Sequence, residues 1–213
     1  MRRVTRQMLT GVVLAMGVSG AWATDAPEDV KSEHARPVIR GGIVYKSYCV
    51  LCHGATANGD AKAAKLYDVA TLAIKPMPTE YYESIIRKGG AAVGKSPFMP
   101  PWQEELSDEQ VRDVISYLGV ARDAVGRGEV VFKTNCVLCH GVKGDGKGRA
   151  SVLFNPPPAN LTRSDKNDEY KTMIITMGGA AMGRSPVMPV WGEQLSTQEI
   201  NDAVVYLRTI LVK

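Results

Sequence analysis

A unit of nearly 90 residues occurs twice in this 213-residue chain, and an identical hexapeptide anchors both copies. Cys49, Val50, Leu51, Cys52, His53, Gly54 returns as Cys136, Val137, Leu138, Cys139, His140, Gly141. Upstream, Arg40, Gly41, Tyr45 and Lys46 match Arg127, Gly128, Phe132 and Lys133 at an offset of 87. Downstream, Met99, Pro100 and Trp102 match Met188, Pro189 and Trp191 at an offset of 89. Leu66 pairs with Leu153 at the first offset and Leu72 with Leu161 at the second. The two extra residues therefore fall in the run Asn155, Pro156, Pro157, Pro158. Solenoid units are about 20–50 residues long, so a repeat of this length means two homologous domains. The reading places them at 38–121 and 122–213, after an N-terminal extension at 24–37.

Each half has the same helical punctuation. Ile43, Val44 and Tyr45 lead into the first cysteine, as Val130, Val131 and Phe132 do in the second half. An apolar pattern predicts a middle helix around Tyr81 to Lys88 and Tyr170 to Met177, stopped by Gly89, Gly90 and by Gly178, Gly179. Ser107 and Ser196 are N-cap candidates, with Gln110 and Glu199 three positions on completing a capping box. Val111, Val114, Ile115 and Leu118 then trace one helical face, repeated by Ile200, Ala203, Val204 and Leu207. No strand pattern competes, so the predicted fold is mainly α. Roughly 85 residues per half bury little apolar surface unaided.

The cysteines bear on that deficit. Cys-x-x-Cys-His is the spacing at which two thiols form thioethers to a porphyrin and the next histidine ligates the iron. Two covalent haems are expected, on Cys49, Cys52 and on Cys136, Cys139, each becoming the centre of a small core. Disulfides are the competing reading in an exported chain. A zinc site would have to pool both motifs, because the chain has four cysteines and one further histidine, His34. A redox dithiol of the thioredoxin kind would need a βαβ setting, which the pattern lacks.

His53 and His140 fill one axial position each. His34 alone cannot serve two irons, which excludes paired bis-histidine coordination, and no spare cysteine remains for a thiolate. Methionine, lysine, tyrosine or an open site are left. Met99, in Ser96, Pro97, Phe98, Met99, Pro100, and Met188, in Ser185, Pro186, Val187, Met188, Pro189, are the methionines that recur at matched repeat positions. Flanking prolines stiffen both loops. Met99 and Met188 are the expected ligands, with Met77, also between prolines, the rival in the first half.

The N-terminus points to export. Arg2, Arg3 and Arg6 precede an apolar stretch from Met8 to Ala21, and Ala21, Trp22, Ala23 has the small-x-small pattern of a signal-peptidase site. Residues 1–23 thus read as a signal peptide cleaved after Ala23, with a periplasmic mature chain and an uncleaved anchor as the alternative. No later stretch approaches the about 20 apolar residues of a membrane span. Three arginines leave with the signal, so 26 basic residues become 23 against 22 acidic ones, a net charge of +1 that gives a nucleic-acid role no support. Residues 38–121 carry nine basic and nine acidic side chains, and residues 122–213 twelve and nine, with Lys143, Lys147 and Arg149 clustered.

These motifs, together with a terminal helix ending in Tyr-Leu, resemble class I cytochrome c. Two such domains behind a signal peptide resemble the two-haem cytochromes of the c4 type. The resemblance implies that the first and last helices of each domain cross through a glycine and aromatics, a role open to Gly41, Tyr45 and Tyr117 and to Gly128, Phe132 and Tyr206. It also implies a proline carbonyl bonded to the ligand histidine. Pro156 to Pro158 offer one in the second half, whereas the first half has Leu66, Tyr67, Asp68, Val69, Ala70 there. Trp102 and Trp191 line the haem edge or pack in the core.

The expected activity is electron transfer, because an iron closed by His and Met has no easy site for a substrate. Redox proteins, either a membrane oxidase or reductase or other cytochromes, are the expected partners. A haem peroxidase, a sulfur-compound oxidising enzyme, a gas-binding protein and an electron-delivering subunit of a larger oxidoreductase are the alternatives.

Overall fold

The computed structural model describes residues 34, 36–67, 69–72 and 76–212. The proposed signal peptide, its cleavage site and most of the N-terminal extension lie outside the described residues.

Among the described residues the chain is all helical, as the sequence pattern predicts. The first half contains α1 (Pro37–Tyr48), α2 (Val50–His53), α3 (Ala64–Tyr67), α4 (Thr79–Lys88) and α5 (Asp108–Leu118). The second half contains α6 (Ala124–Asn135), α7 (Val137–His140), α8 (Asp168–Ala181) and α9 (Thr197–Thr209). Pro37 starts α1 where its missing N–H costs nothing. Asp123 caps α6 by accepting from the Val125 and Gly126 N–H groups. Both predicted capping boxes form: Ser107 Oγ accepts from Gln110 N at 3.2 Å and Ser196 Oγ from Glu199 N at 3.2 Å, with the reciprocal bonds at 2.9 and 2.8 Å. The glycine stops also hold. Gly89 at φ 79° ends α4, and Gly178 at φ 78° breaks the regular part of α8.

In each half the first helix packs across the last, α1 on α5 and α6 on α9. A Cβ at Gly41 would run into the Asp113 carbonyl, and one at Gly128 into the Asp202 carbonyl. Tyr45 stacks on Tyr117 with ring centroids 5.0 Å apart, and Phe132 on Tyr206 at 5.4 Å, so the glycine-and-aromatic crossing occurs in both halves. Gly128→Ala should push α6 off α9 at a cost of about 1–3 kcal/mol, read from the denaturation midpoint. An unchanged midpoint would show that the helices separate freely.

Each crossing is also locked by an ion pair. Arg40 donates to both carboxylate oxygens of Asp113 at 2.6 and 2.8 Å, and Arg127 to Asp202 at 2.7 and 2.9 Å. These pairs occupy matched repeat positions, at the first offset for arginine and the second for aspartate. The second is the more buried, its side chains 9% and 4% exposed against 32% and 4% for the first. Arg127 spends a further donor on Ala121 O at 2.8 Å, which ties the connection between the halves.

The halves are packed together, as the short connection between them implies. α1 lies against α6, and Val130 of α6 joins the apolar core of the first half. Arg36 pairs with Glu129 at 2.8 Å, and Lys46 with Glu199 at 2.7 Å. No helix among the described residues is long and apolar enough to cross a membrane.

Candidate haem sites

The local fold brings each attachment motif to one short helix. Cys49 ends α1 by donating its N–H to Tyr45 O, and α2 follows at once; Cys136 joins α6 to α7 in the same way. One helical turn from first cysteine to histidine puts two sulfurs and an imidazole on a single compact element. Gly54 and Gly141, both at φ 78°, then turn the chain away, a backbone conformation that a residue with a Cβ resists.

None of the four cysteines is paired in a disulfide. Burial pushes the Cys49 and Cys136 thiols up to about 12, with the neighbouring Cys52 and Cys139 adding a smaller upward push. A site that disfavours thiolate suits a thioether, which has no charged form to bury. Burial also holds the His53 and His140 rings below the ordinary histidine value, partly offset by a carbonyl bond on each. His53 Nδ1 donates to Ala70 O at 3.3 Å and His140 Nδ1 to Ala159 O at 3.0 Å. That bond fixes the tautomer and leaves the Nε2 lone pair free for a metal.

These carbonyls correct one expectation. The support for His140 comes from Ala159, just past the proline run, not from Pro156 to Pro158. Ala70 is its repeat counterpart at the second offset, so the first half does not depart from the second here. The carbonyl is set by position along the loop. Prolines shape the approach in one copy only.

Both methionine loops are built alike. Met99 O accepts from Gly90 N at 2.9 Å and Met188 O from Gly179 N at 3.0 Å. Gly90 O accepts from Lys95 N, and Gly179 O from Arg184 N, both at 2.8 Å. A Cβ at Gly90 or Gly179 would strike the Ser96 or Ser185 carbonyl, so the glycine pairs both stop the middle helix and seat the methionine loop. Met99 packs against the core of its half, whereas Met77 is 41% exposed. His34 donates from Nε2 to Lys133 O at 2.7 Å, across on α6. Trp102 packs against the first core and Trp191 against the second half's, which satisfies the packing reading of the tryptophans.

Large apolar side chains stand at the surface at matched positions: Leu51 and Leu138, Leu66 and Leu153, Phe98 and Val187. Exposure reaches 74% at Leu51 and 76% at Leu153. Recurrence in both copies separates this set from scattered surface leucines and leaves each half with three large apolar side chains uncovered by protein. An open cleft of about 800 Å³ in the second half runs along Lys147, Val152, Phe154, Pro156 and Ala159, whose carbonyl holds His140. The donor set and the uncovered apolar side chains suit haem c in both halves.

The paired Arg–Asp locks were missed by sequence reasoning. Their signal was present as Arg40 and Asp113 recurring together at Arg127 and Asp202.

Comparison with known proteins places the chain. The family model described as "Cytochrome C oxidase, cbb3-type, subunit III" matches residues 37–118 and 123–207. The chain is 28% identical over 182 residues to the cbb3-type cytochrome c oxidase subunit FixP of Sinorhizobium medicae, covering 81% of this chain and 60% of that protein. It is 28% identical over 188 residues to the subunit CcoP of an Azospirillum species, covering 80% and 61%. The chain thus spans about 60% of the length of the curated relatives it matches. The expectation of a two-haem class I c-type cytochrome stands at this level, while the matches do not single out the c4 type. With two tandem cytochrome c domains and two covalent haem c groups, the chain belongs to the cbb3-type cytochrome c oxidase subunit III family.

Proposed function

We propose that this chain is an exported electron carrier that passes single electrons between redox proteins, with an oxidase of the cbb3 type as the acceptor. Cys49 and Cys52 hold one haem and Cys136 and Cys139 the other; His53 with Met99, and His140 with Met188, close the two irons. Haem held by these residues would supply one-electron chemistry. The observation that carries this reading is the duplication of both supports in full. Each ligand histidine has its ring fixed through Nδ1 by an alanine carbonyl, and each methionine is held by a glycine N–H. Two sites built for rigid, closed coordination suit electron carriage, because little has to move when the charge changes. The relatives are named as oxidase subunits, which favours an oxidase acceptor over a peroxidase or gas sensor.

Met99→Ala tests the ligand set. The expected result is loss of methionine-to-iron absorption from one haem of two, and carbon monoxide binding at that iron. An unaltered spectrum, with the loss appearing in Met77→Ala instead, would assign the first ligand to Met77. Stopped-flow mixing of the reduced protein with membranes containing a cbb3-type oxidase tests the acceptor. Rapid oxidation of both haems is expected; oxidation no faster than by oxygen alone would overturn it.

A further inference from the structure

The two halves secure the turn after the ligand histidine in different ways. In the first half the Tyr45 hydroxyl, buried on α1, donates to Gly54 O at 2.7 Å. That carbonyl also accepts from Ala57 N at 3.3 Å. Burial raises the Tyr45 ionisation far above its ordinary value, so the phenol stays a donor. In the second half Phe132 stands at the Tyr45 position, 1% exposed and without a hydroxyl. Gly141 O there receives Gly144 N at 3.0 Å. The second half grips its attachment helix from the loop instead: Gly148 N donates to Cys139 O at 3.2 Å, and Ala150 N to Leu138 O at 2.9 Å. Neither bond has a counterpart in the first half among the described residues.

We propose that the Tyr45 hydroxyl is the positioning group of the first haem site, clamping the Gly54 carbonyl so that the turn carrying His53 is held against α1. The second site has its attachment helix held one turn earlier, by loop backbone at Leu138 O and Cys139 O. Geometry favours a specific role over general packing, because Phe132 shows that the ring alone supports the helix crossing. One part of the restraint on the first site's histidine turn is thus a side-chain bond that the loss of a single atom removes, beside the backbone bonds from Ala57 N and Gly59 N. The proposal rests on His53 being the iron ligand.

Tyr45→Phe is the test, since phenylalanine already serves at the matched position. Amide exchange at His53, Gly54 and Gly59 should rise about fivefold, the expected consequence of losing one buried neutral hydrogen bond locally. The reduction potential of the first haem and its hyperfine-shifted histidine resonances should move, while those of the second haem stay in place. Unchanged exchange and potential at the first haem would overturn the proposal, as would equal shifts at both haems. Phe132→Tyr is the companion variant: it should slow amide exchange at His140 and Gly141, and no slowing would count against the clamp. His53→Ala separates the two readings. If it keeps the first haem's low-spin spectrum, the ligand assignment has failed; if it loses that spectrum while Tyr45→Phe is silent, only the tyrosine's role has failed.

Discussion

Replacing Cys136 and Cys139 together by serine should give a chain with one haem instead of two and a second half that no longer folds. The reason lies in how unevenly apolar side chains are shared. The first half has one continuous core running from Ile39 through Tyr45, Val111 and Tyr117, and it borrows Val130 from the other half. The second half has two small clusters, one around Val131, Leu195 and Ile200 and the other around Phe132, Val137 and Tyr206. The partly buried Ile175 is the residue that packs against both clusters among those described, and a large flat apolar group held by the cysteines would add to that slender join. Without it, two small clusters must offset the ordering entropy of the whole half, which a domain this small does with little to spare. Haem content per chain and limited proteolysis would check this. A second half that keeps its protease resistance with one haem bound would show that the clusters suffice. The matching serine pair at Cys49 and Cys52 should cause a smaller loss, because the continuous core remains.

The next largest effect is expected at the buried ion pair of the second half. Asp202→Ala leaves the Arg127 guanidinium, 9% exposed, without its carboxylate. An uncompensated buried charge costs about 3–5 kcal/mol. Asp113→Ala should cost less, because Arg40 is about one-third exposed, reaches water and keeps Glu109 at 3.0 Å. Denaturant titration of the two variants gives the comparison, and equal losses would contradict the burial argument. Replacing Arg127 and Asp202 together by Met and Leu should recover most of the loss, since the penalty comes from the orphaned charge rather than from a missing attraction. The Arg127 bond to Ala121 O adds a reason for the inequality: it spans the connection between the halves, so its disturbance reaches both.

Much of this fold is legible in the residues because its signals are local. Serine followed by Gln or Glu three positions later makes a capping box by contacts within one turn, and both boxes form as the sequence implies. Gly89 and Gly178 stop a helix through their own backbone freedom, which needs no knowledge of neighbours. The duplication extends this reach. Two copies at offsets of 87 and 89 mark Met99 and Met188 as a pair, where a lone methionine would read as core filling. The least legible features depend on the approach of distant segments. Nothing local in Ala70 or Ala159 marks either as the acceptor for a histidine 17 or 19 residues earlier. The proline run is the conspicuous feature of that loop, yet the carbonyl that bonds His140 is the next one along. Arg40 and Asp113, 73 residues apart, become partners only once α1 crosses α5.

By itself the sequence determined the two-domain pattern and its helical class, and it named the cysteine, histidine and methionine candidates. Each follows from spacing along one chain, where covalent connection fixes which groups are neighbours. Tertiary structure decided the rest: which carbonyl steadies each histidine, which charges are buried together, and how the two halves share a core through Val130. It also decided that Tyr45 and Phe132, near-equivalent as apolar residues, differ in consequence. The difference is one oxygen atom, and that atom matters only because folding brings the Gly54 carbonyl to 2.7 Å from it.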